Sequence, residues 1–192
     1  MNNVIEKSIR ESIAVKQAML EHPHFLQKIE QTAQRMAQTF RQGGKVLFCG
    51  NGGSAADAQH IAAELSGRFY TDRPPLFAEA LHVNSSYVTA VANDYGYEQV
   101  FARMVEAAGR PGDMLVAIST SGNSPSILRA AEKARAQGMP VIGFTGATGG
   151  QLAGSCDVLL NVPSGDTPRI QEAHILIGHI LCEIVEKELF GG

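Results

Sequence analysis

The chain has 192 residues, 44% of them hydrophobic and 18% charged, with 16 basic against 19 acidic side chains. That length supports one domain whose core folds without disulfide or metal staples. A formal net charge of −3 excludes the basic footprint that nucleic acid or an anionic membrane surface would demand.

The N-terminal segment reads as a helix, because Ile5, Ile9 and Ile13 recur at i+4 and Leu20 extends the stripe. Its charges, Glu6, Lys7, Arg10, Glu11 and Lys16, leave no apolar core for a signal peptide. Pro23 breaks this helix and suits the first turn of a second, whose stripe is Leu26, Ile29, Ala33, Met36, Ala37 and Phe40, ended by Gly43-Gly44. Residues 1–44 thus form a helical hairpin that must bury its apolar faces on the chain's own sheet or against another subunit. From Lys45 the pattern alternates. Residues 45–49 read as a strand running into Gly50-Asn51-Gly52-Gly53-Ser54, then a helix to about Ser66. Residues 67–77, with Gly67, Asp72, Pro74 and Pro75, form a loop before a second strand at 78–83. Helical patterns follow from Ser85 and over 97–108, then a third strand at 114–118. Ser119 to Ser124 opens a helix to Gln137, and 140–144 is a fourth strand. After the glycine-rich 146–150 turn and a short helix comes a fifth strand at 157–162, and Thr167 starts a long helix to about Phe190.

Short strands alternating with helices predict an α/β fold, a doubly wound parallel sheet covered on both faces. Residues 45–192 make this sandwich, and with the hairpin the whole chain is one domain. The longest apolar run, 175–185, is interrupted by Gly178, His179 and Glu183, short of the roughly 18 residues a membrane span needs. Cys49, Cys156 and Cys182 form no C-x-x-C pair, so neither a disulfide framework nor a thiolate zinc site is expected, and a reducing cytoplasm is.

Two loops carry the chemistry. In Gly50-Asn51-Gly52-Gly53-Ser54-Ala55, residues without Cβ let backbone approach a ligand, and the helix start offers free N–H groups to an anion. The run also fits the G-x-G-x-x-A dinucleotide pattern. That pattern wants an acid about 20 residues on, at the end of the second strand, where this chain has His82-Val83-Asn84. A tight turn without a ligand is the other alternative. In Ser119-Thr120-Ser121-Gly122-Asn123-Ser124, four hydroxyls and a helix N-terminus could satisfy a phosphate without any Lys or Arg. If the segment merely capped a helix, Ser124 alone would suffice. Both loops lie at the carboxyl ends of strands, where ligands of open α/β sheets bind, so one phosphorylated ligand shared between them is expected. His60 and Glu64, four apart on one helix face, are metal ligands, proton carriers or a solvated surface pair. The last helix adds Gln171, Glu172, His174 and His179, the last among Ile175, Ile177, Ile180 and Leu181, where a satisfied core histidine is the simplest reading.

The combination Cys49-Gly-Asn-Gly-Gly-Ser-Ala55, His60-x-x-x-Glu64, Ala92-Asn93-Asp94, Ile118-Ser-Thr-Ser-Gly-Asn-Ser124 and Arg169-Ile-Gln-Glu-x-His174 resembles the phosphoheptose isomerases of the sugar-isomerase (SIS) domain family, in order over nearly the whole chain. The resemblance implies a flavodoxin-like sheet of five parallel strands. It also implies conversion of sedoheptulose 7-phosphate to D-glycero-D-manno-heptose 7-phosphate through an enediolate. That reaction opens nucleotide-activated heptose synthesis for lipopolysaccharide or another surface polysaccharide. Carried over residue by residue, Asn51, Gly52, Gly53 and Ser54 line the sugar-phosphate pocket, Ser119, Thr120, Ser121 and Ser124 hold the phosphate, and Asn93 and Asp94 contact sugar hydroxyls. Glu64 and His179 match the acid/base pair, while His60, Glu64, Gln171 and His179 match the ligands of one zinc per subunit; His60, Glu64 and Gln171 also face substrate, and Arg68 lies near it. The family assembles as a cytoplasmic homotetramer with sites between subunits. Thr167-Pro168 departs from members that carry an acid before Arg169. A non-enzymatic relative, the DnaA initiator-associating protein, and isomerases of other sugar phosphates are the alternatives; both loops read as in the isomerases.

Overall fold

A computed structural model describes residues 2–191. In chain order the elements are α1 (Asn2–Leu20), α2 (Pro23–Arg41), β1 (Val46–Gly50), α3 (Gly53–Ser66), β2 (Ala78–Ala80), α4 (Ser85–Tyr95), α5 (Val100–Ala108), β3 (Met114–Ile118), α6 (Pro125–Ala136), β4 (Val141–Thr145), β5 (Val158–Asn161) and α7 (Thr167–Phe190). Short 3-10 turns at Tyr97–Gln99 and Gln151–Ser155 complete the chain. All strand pairs are parallel, in the order β2-β1-β3-β4-β5. This is the flavodoxin-like order, whose direction of progression switches between the first and third strands. Gly50 and Ile118, the last residues of β1 and β3, stand in register at that switch point. The two loops singled out in the sequence therefore leave the sheet side by side.

Every residue of β1, β3 and β4 is buried, which explains why these strands read as unbroken apolar runs rather than alternating ones. Successive side chains point to opposite faces. Phe48, Val116 and Phe144 join α2, α3 and α7 through Met36, Ile61, Leu65, Ile177 and Leu181. Leu47, Leu115 and Val141 join α4, α5 and α6 through Val91, Phe101, Val105 and Ile127. The other strand ends shift by at most a residue from the sequence reading, but β2, expected over 78–83, stops three residues early at Ala80. It pairs only with β1, and after Leu81 bonds to the Phe48 carbonyl (2.9 Å) the chain turns so that Asn84 accepts from the Tyr87 amide and caps α4.

The two helices of the hairpin differ in burial. α2 lies on the sheet with Phe25, Ile29, Ala33, Met36 and Ala37 buried; Phe25 takes the place expected for Leu26, which is exposed. α1 contributes Val15 and Met19 to that core, yet Ile5, Ile9 and Ile13 remain 61%, 56% and 59% exposed. With Glu6 and Arg10 they line an open groove of about 510 Å³. Among the described residues no helix is long and apolar enough to cross a membrane.

His174 is fully buried against Phe144. Its Nε2–H donates to the Thr145 carbonyl at the end of β4 (3.1 Å), while Nδ1 has no partner. Burial pushes this imidazole down to about 4, against the opposing pull of the Thr145 bond. A histidine that stays neutral when folded but protonates near 6.5 when unfolded leaves stability intact above pH 6.5 and removes it as pH falls toward 4. The loss over that window is about 3 kcal/mol. Urea unfolding at pH 7 and pH 4.5 should show it, and His174→Gln should flatten the His174 share of the slope.

Candidate active site

The β1–α3 loop folds as its glycines require. A Cβ on Gly53 would collide with the side-chain amide of Gln171, so α7 reaches the loop only because residue 53 has none. Asn51 donates through Nδ2 to Ser126 Oγ (3.0 Å) and accepts through Oδ1 from the Tyr97 hydroxyl (2.9 Å). These two bonds orient its amide and tie the loop to α6 and to the turn after α4. Ser54 is buried in the first turn of α3. Asn93 and Asp94, joined to each other at 2.8 Å, are exposed at the end of α4, just before the bend that returns Tyr97 to Asn51.

The β3–α6 loop is stitched by its own hydroxyls. Ser119 Oγ accepts from the Gly122 amide (3.2 Å) and donates to Ser124 Oγ (3.2 Å), and Ser121 Oγ accepts from the Asn123 amide (3.2 Å). Ser124 stands at the N-cap of α6 but its side chain makes no capping bond, which removes helix capping as the reason for this cluster. Thr120 and Ser121 open onto a cavity of about 300 Å³ that is also lined by Gly146, Ala147, Thr148, Ser164, Gly165, Thr167 and Ile170. Amides, hydroxyls and the first turn of α7 surround it, which suits a phosphate.

Deeper along α3 and α7, three side chains gather. His60 Nε2 lies 2.9 Å from His179 Nε2 and 3.2 Å from Glu64 Oε1. One ligand atom from each residue falls within 4.8 Å of the others. The structure therefore takes His179 out of the core: it is half-buried, stacked on Phe69 (centroids 5.8 Å apart, planes at 29°) and facing α3. Two imidazole nitrogens and a carboxylate oxygen are the donor set that zinc favours. Two ring nitrogens meeting at 2.9 Å either share one proton or present two lone pairs to a cation, so the residues fit such an ion. Gln171 stands instead at Gly53, eight residues and about 12 Å along α7 before His179. Arg68 is exposed.

Asp57, one turn before His60, was not singled out by any motif. Its Oδ2 is buried without a partner, and burial pushes the carboxyl up to about 6 against the attraction of His60. The only sequence signal is its i−3 spacing from His60. Burial also pushes the thiols of Cys49 and Cys182 up to about 12, the nearby Glu64 charge adding to the effect at Cys182, so neither thiol is a nucleophile at neutral pH.

A family model described as the SIS domain matches residues 10–146. The phosphoheptose isomerase of Aneurinibacillus thermoaerophilus is 51% identical over 190 residues, covering 99% of this chain and 96% of that protein. The phosphoheptose isomerase of Mycobacterium tuberculosis is 56% identical over 185 residues, covering 96% and 94%. Among solved structures, the phosphoheptose isomerase of Neisseria gonorrhoeae superposes with a TM-score of 0.91 at 44% identity, over 97% of this chain and 98% of that one.

Proposed function

The chain belongs to the SIS domain family, and from that membership we propose that it is an aldose–ketose isomerase converting sedoheptulose 7-phosphate to D-glycero-D-manno-heptose 7-phosphate. The observation that carries the chemistry is the meeting of Glu64, His60 and His179 on α3 and α7, the second of which begins at the cavity lined by Thr120 and Ser121. Full-length relatives named phosphoheptose isomerase support the substrate, and a protein-binding role at a replication initiator is not favoured.

Isomerisation moves one proton from C1 to C2 and another between the two oxygens, with no net change in composition. The Ser119–Ser124 loop and the amides of Gly52 and Gly53 hold the phosphate, while the Ser54 amide closes the turn on the Asn51 carbonyl (3.0 Å); this fixes the far end of the sugar and orients C1 and C2. Asn93 and Asp94 bond the chain hydroxyls. Glu64 takes the C1 proton to give a cis-enediolate and returns it at C2. The His179 imidazole, 2.9 Å from His60, gives and takes the oxygen-bound proton. When bound, a zinc ion held by His60, Glu64, Gln171 and His179 would supply a positive charge to polarise the carbonyl and the enediolate oxygens. Coordination lowers a carboxylate's basicity, so the base role of Glu64 requires that its hold on the ion be labile. The separation of Gln171 from His179 favours a site completed by another subunit.

We place that subunit contact on α1, whose bare Ile5, Ile9 and Ile13 supply the apolar face a homotetramer needs. Each such side chain removed from water contributes about 1.5–3 kcal/mol. Ile9→Asp should therefore shift the assembly to smaller species in light scattering after gel filtration, with the far-UV spectrum unchanged. A cytoplasmic enzyme feeding surface-polysaccharide heptose fits this reading.

The test of the function is a coupled turnover assay on sedoheptulose 7-phosphate, with zinc added and with a chelator present, beside pentose and hexose phosphates. Turnover of the heptulose phosphate alone is expected. A folded, zinc-supplemented protein that converts only a pentose or hexose phosphate would overturn the substrate assignment.

A further inference from the structure

The segment after α3 is held by an ion pair that the reaction itself does not use. Arg73, from the proline loop, and Glu186, from α7, have side chains only 2% and 5% exposed and meet at 2.8 Å. Burying both charges costs several kcal/mol per ion, and an apolar pair of similar volume is often no less stable. The pair must then be read by what its bonds fix.

Arg73 reaches backward onto the helix that carries His60 and Glu64. Its guanidinium donates to the carbonyl of Glu64 itself (2.9 Å) and to that of Leu65 (2.9 Å). These are among the last carbonyls of α3, which have no partner inside the helix. A guanidinium spreads its N–H donors over three nitrogens in one rigid plane, so it can span two carbonyls and a carboxylate that lie apart, whereas an ammonium's donors radiate from a single nitrogen. Glu186 reaches forward: its two oxygens accept the amides of Phe69 (3.2 Å), Tyr70 (2.9 Å) and Thr71 (2.8 Å). Those bonds fix the backbone on which Phe69 rides, and the Phe69 ring is the one stacked on His179. Glu186 also lies seven residues beyond His179, two turns along the same face of α7. One pair thus grips the end of the helix bearing Glu64, the helix bearing His179, and the loop between them.

We infer that Arg73 and Glu186 are positioning residues for the candidate active site: their bonds set the register of α3 against α7 and seat Phe69 on His179, so that His60, Glu64 and His179 converge. The inference deepens the isomerase reading and depends on it for its kinetic readout only.

Arg73→Lys tests it, because lysine keeps the charge opposite Glu186 and loses the fork. Three quantities are compared with wild type: the Zn²⁺ dissociation constant of the apoprotein, by competition with a chromophoric chelator; kcat and KM separately; and the circular dichroism and assembly size. With fold and assembly retained, Zn²⁺ should bind 10- to 100-fold more weakly, in the range expected for loss of support behind metal ligands. kcat should fall by a similar factor (on the order of 10–100), while KM stays within about twofold, because the hydroxyl loop hangs on β3 and α6 rather than on this pair. A merely structural pair would leave Zn²⁺ affinity and kcat of the folded fraction unchanged, and that result would overturn the inference. If Arg73→Lys does not fold, Phe69→Leu, which keeps the ion pair and removes only the ring against His179, takes its place with the same criteria. Weakened Zn²⁺ binding in a variant of a protein that never converts sedoheptulose 7-phosphate would sink the isomerase reading and leave the positioning role standing.

Discussion

Glu64→Gln should lower kcat by about 10²- to 10⁴-fold, the range that a positioned general base contributes, while sugar phosphate still binds. Glutamine keeps the volume and can still hydrogen-bond His60, which lies 3.2 Å from the native carboxylate. It cannot take a proton from carbon. The Ser119–Ser124 loop lies between β3 and α6, and Gly52–Ser54 sit at the opposite end of α3 from Glu64, so calorimetric titration with sedoheptulose 7-phosphate should give an affinity near that of wild type. Both measurements are needed, since loss of turnover alone would equally follow from a collapsed cluster. Undiminished turnover in the variant would remove Glu64 as the base and turn attention to Asp57, the carboxylate two turns back along α3 with an unpartnered oxygen.

The second large effect is expected at Gly122. Its φ of +67° lies in the left-handed region, and a Cβ there would strike the carbonyl of Gly149 in the adjoining turn. Alanine meets two costs: about 1–2 kcal/mol for the left-handed backbone and about 1–3 kcal/mol for overpacking. Gly122→Ala should thus lose about 2–5 kcal/mol of unfolding free energy. The same residue donates its amide to Ser119 (3.0 Å to the carbonyl) and offers its own carbonyl to the Leu152 amide (2.9 Å). Relief of the clash must therefore move the hydroxyl loop. KM for the sugar phosphate should rise at least about tenfold, which needs only 1.4 kcal/mol of misplacement. A folded variant with native KM would mean that the loop does not hold the phosphate.

Most of the architecture was legible because its punctuation is chemical. Pro23, Gly43-Gly44 and Pro111-Gly112 stand where helices and strands change, and the unbroken apolar strands announce a sheet covered on both faces. Strand ends drifted by a residue, and by three at β2, because hydrogen-bond partners, not side-chain character, decide where a ladder stops. The exposed face of α1 was not legible, since an apolar stripe records that a surface wants covering but not what covers it. Leu26 and Phe25 adjoin in sequence, and only packing against the sheet chose between them. In the candidate site, the i,i+4 pair His60 and Glu64 was visible, whereas the aliphatic neighbours of His179 pointed to the core and only the resemblance assigned it to the site. Its orientation depends on α3 and Phe69, more than a hundred residues away. Arg73 and Glu186, separated by 113 positions, gave no signal at all. An arginine in a proline loop and a glutamate on a charged helix end look like surface residues until the fold joins them.

The cavity beside Thr120 and Ser121 has hydroxyl, amide and aliphatic walls, with no lysine or arginine among the described residues that line it. A pocket built this way recognises shape and lone-pair direction rather than net charge. Its grip on a phosphate monoester should be nearly indifferent to ionic strength, in contrast to sites that depend on Coulomb attraction and weaken as salt screens it. It also draws in no crowd of nucleotides and other polyanions that would compete for a cationic cleft, and a chain already carrying −3 repels them weakly at long range. The only attraction left is the partial positive charge at the first turn of α7, and encounter with substrate should proceed at a nearly unsteered diffusional rate. A KM that holds steady from dilute buffer to half-molar salt would be the kinetic mark of that arrangement.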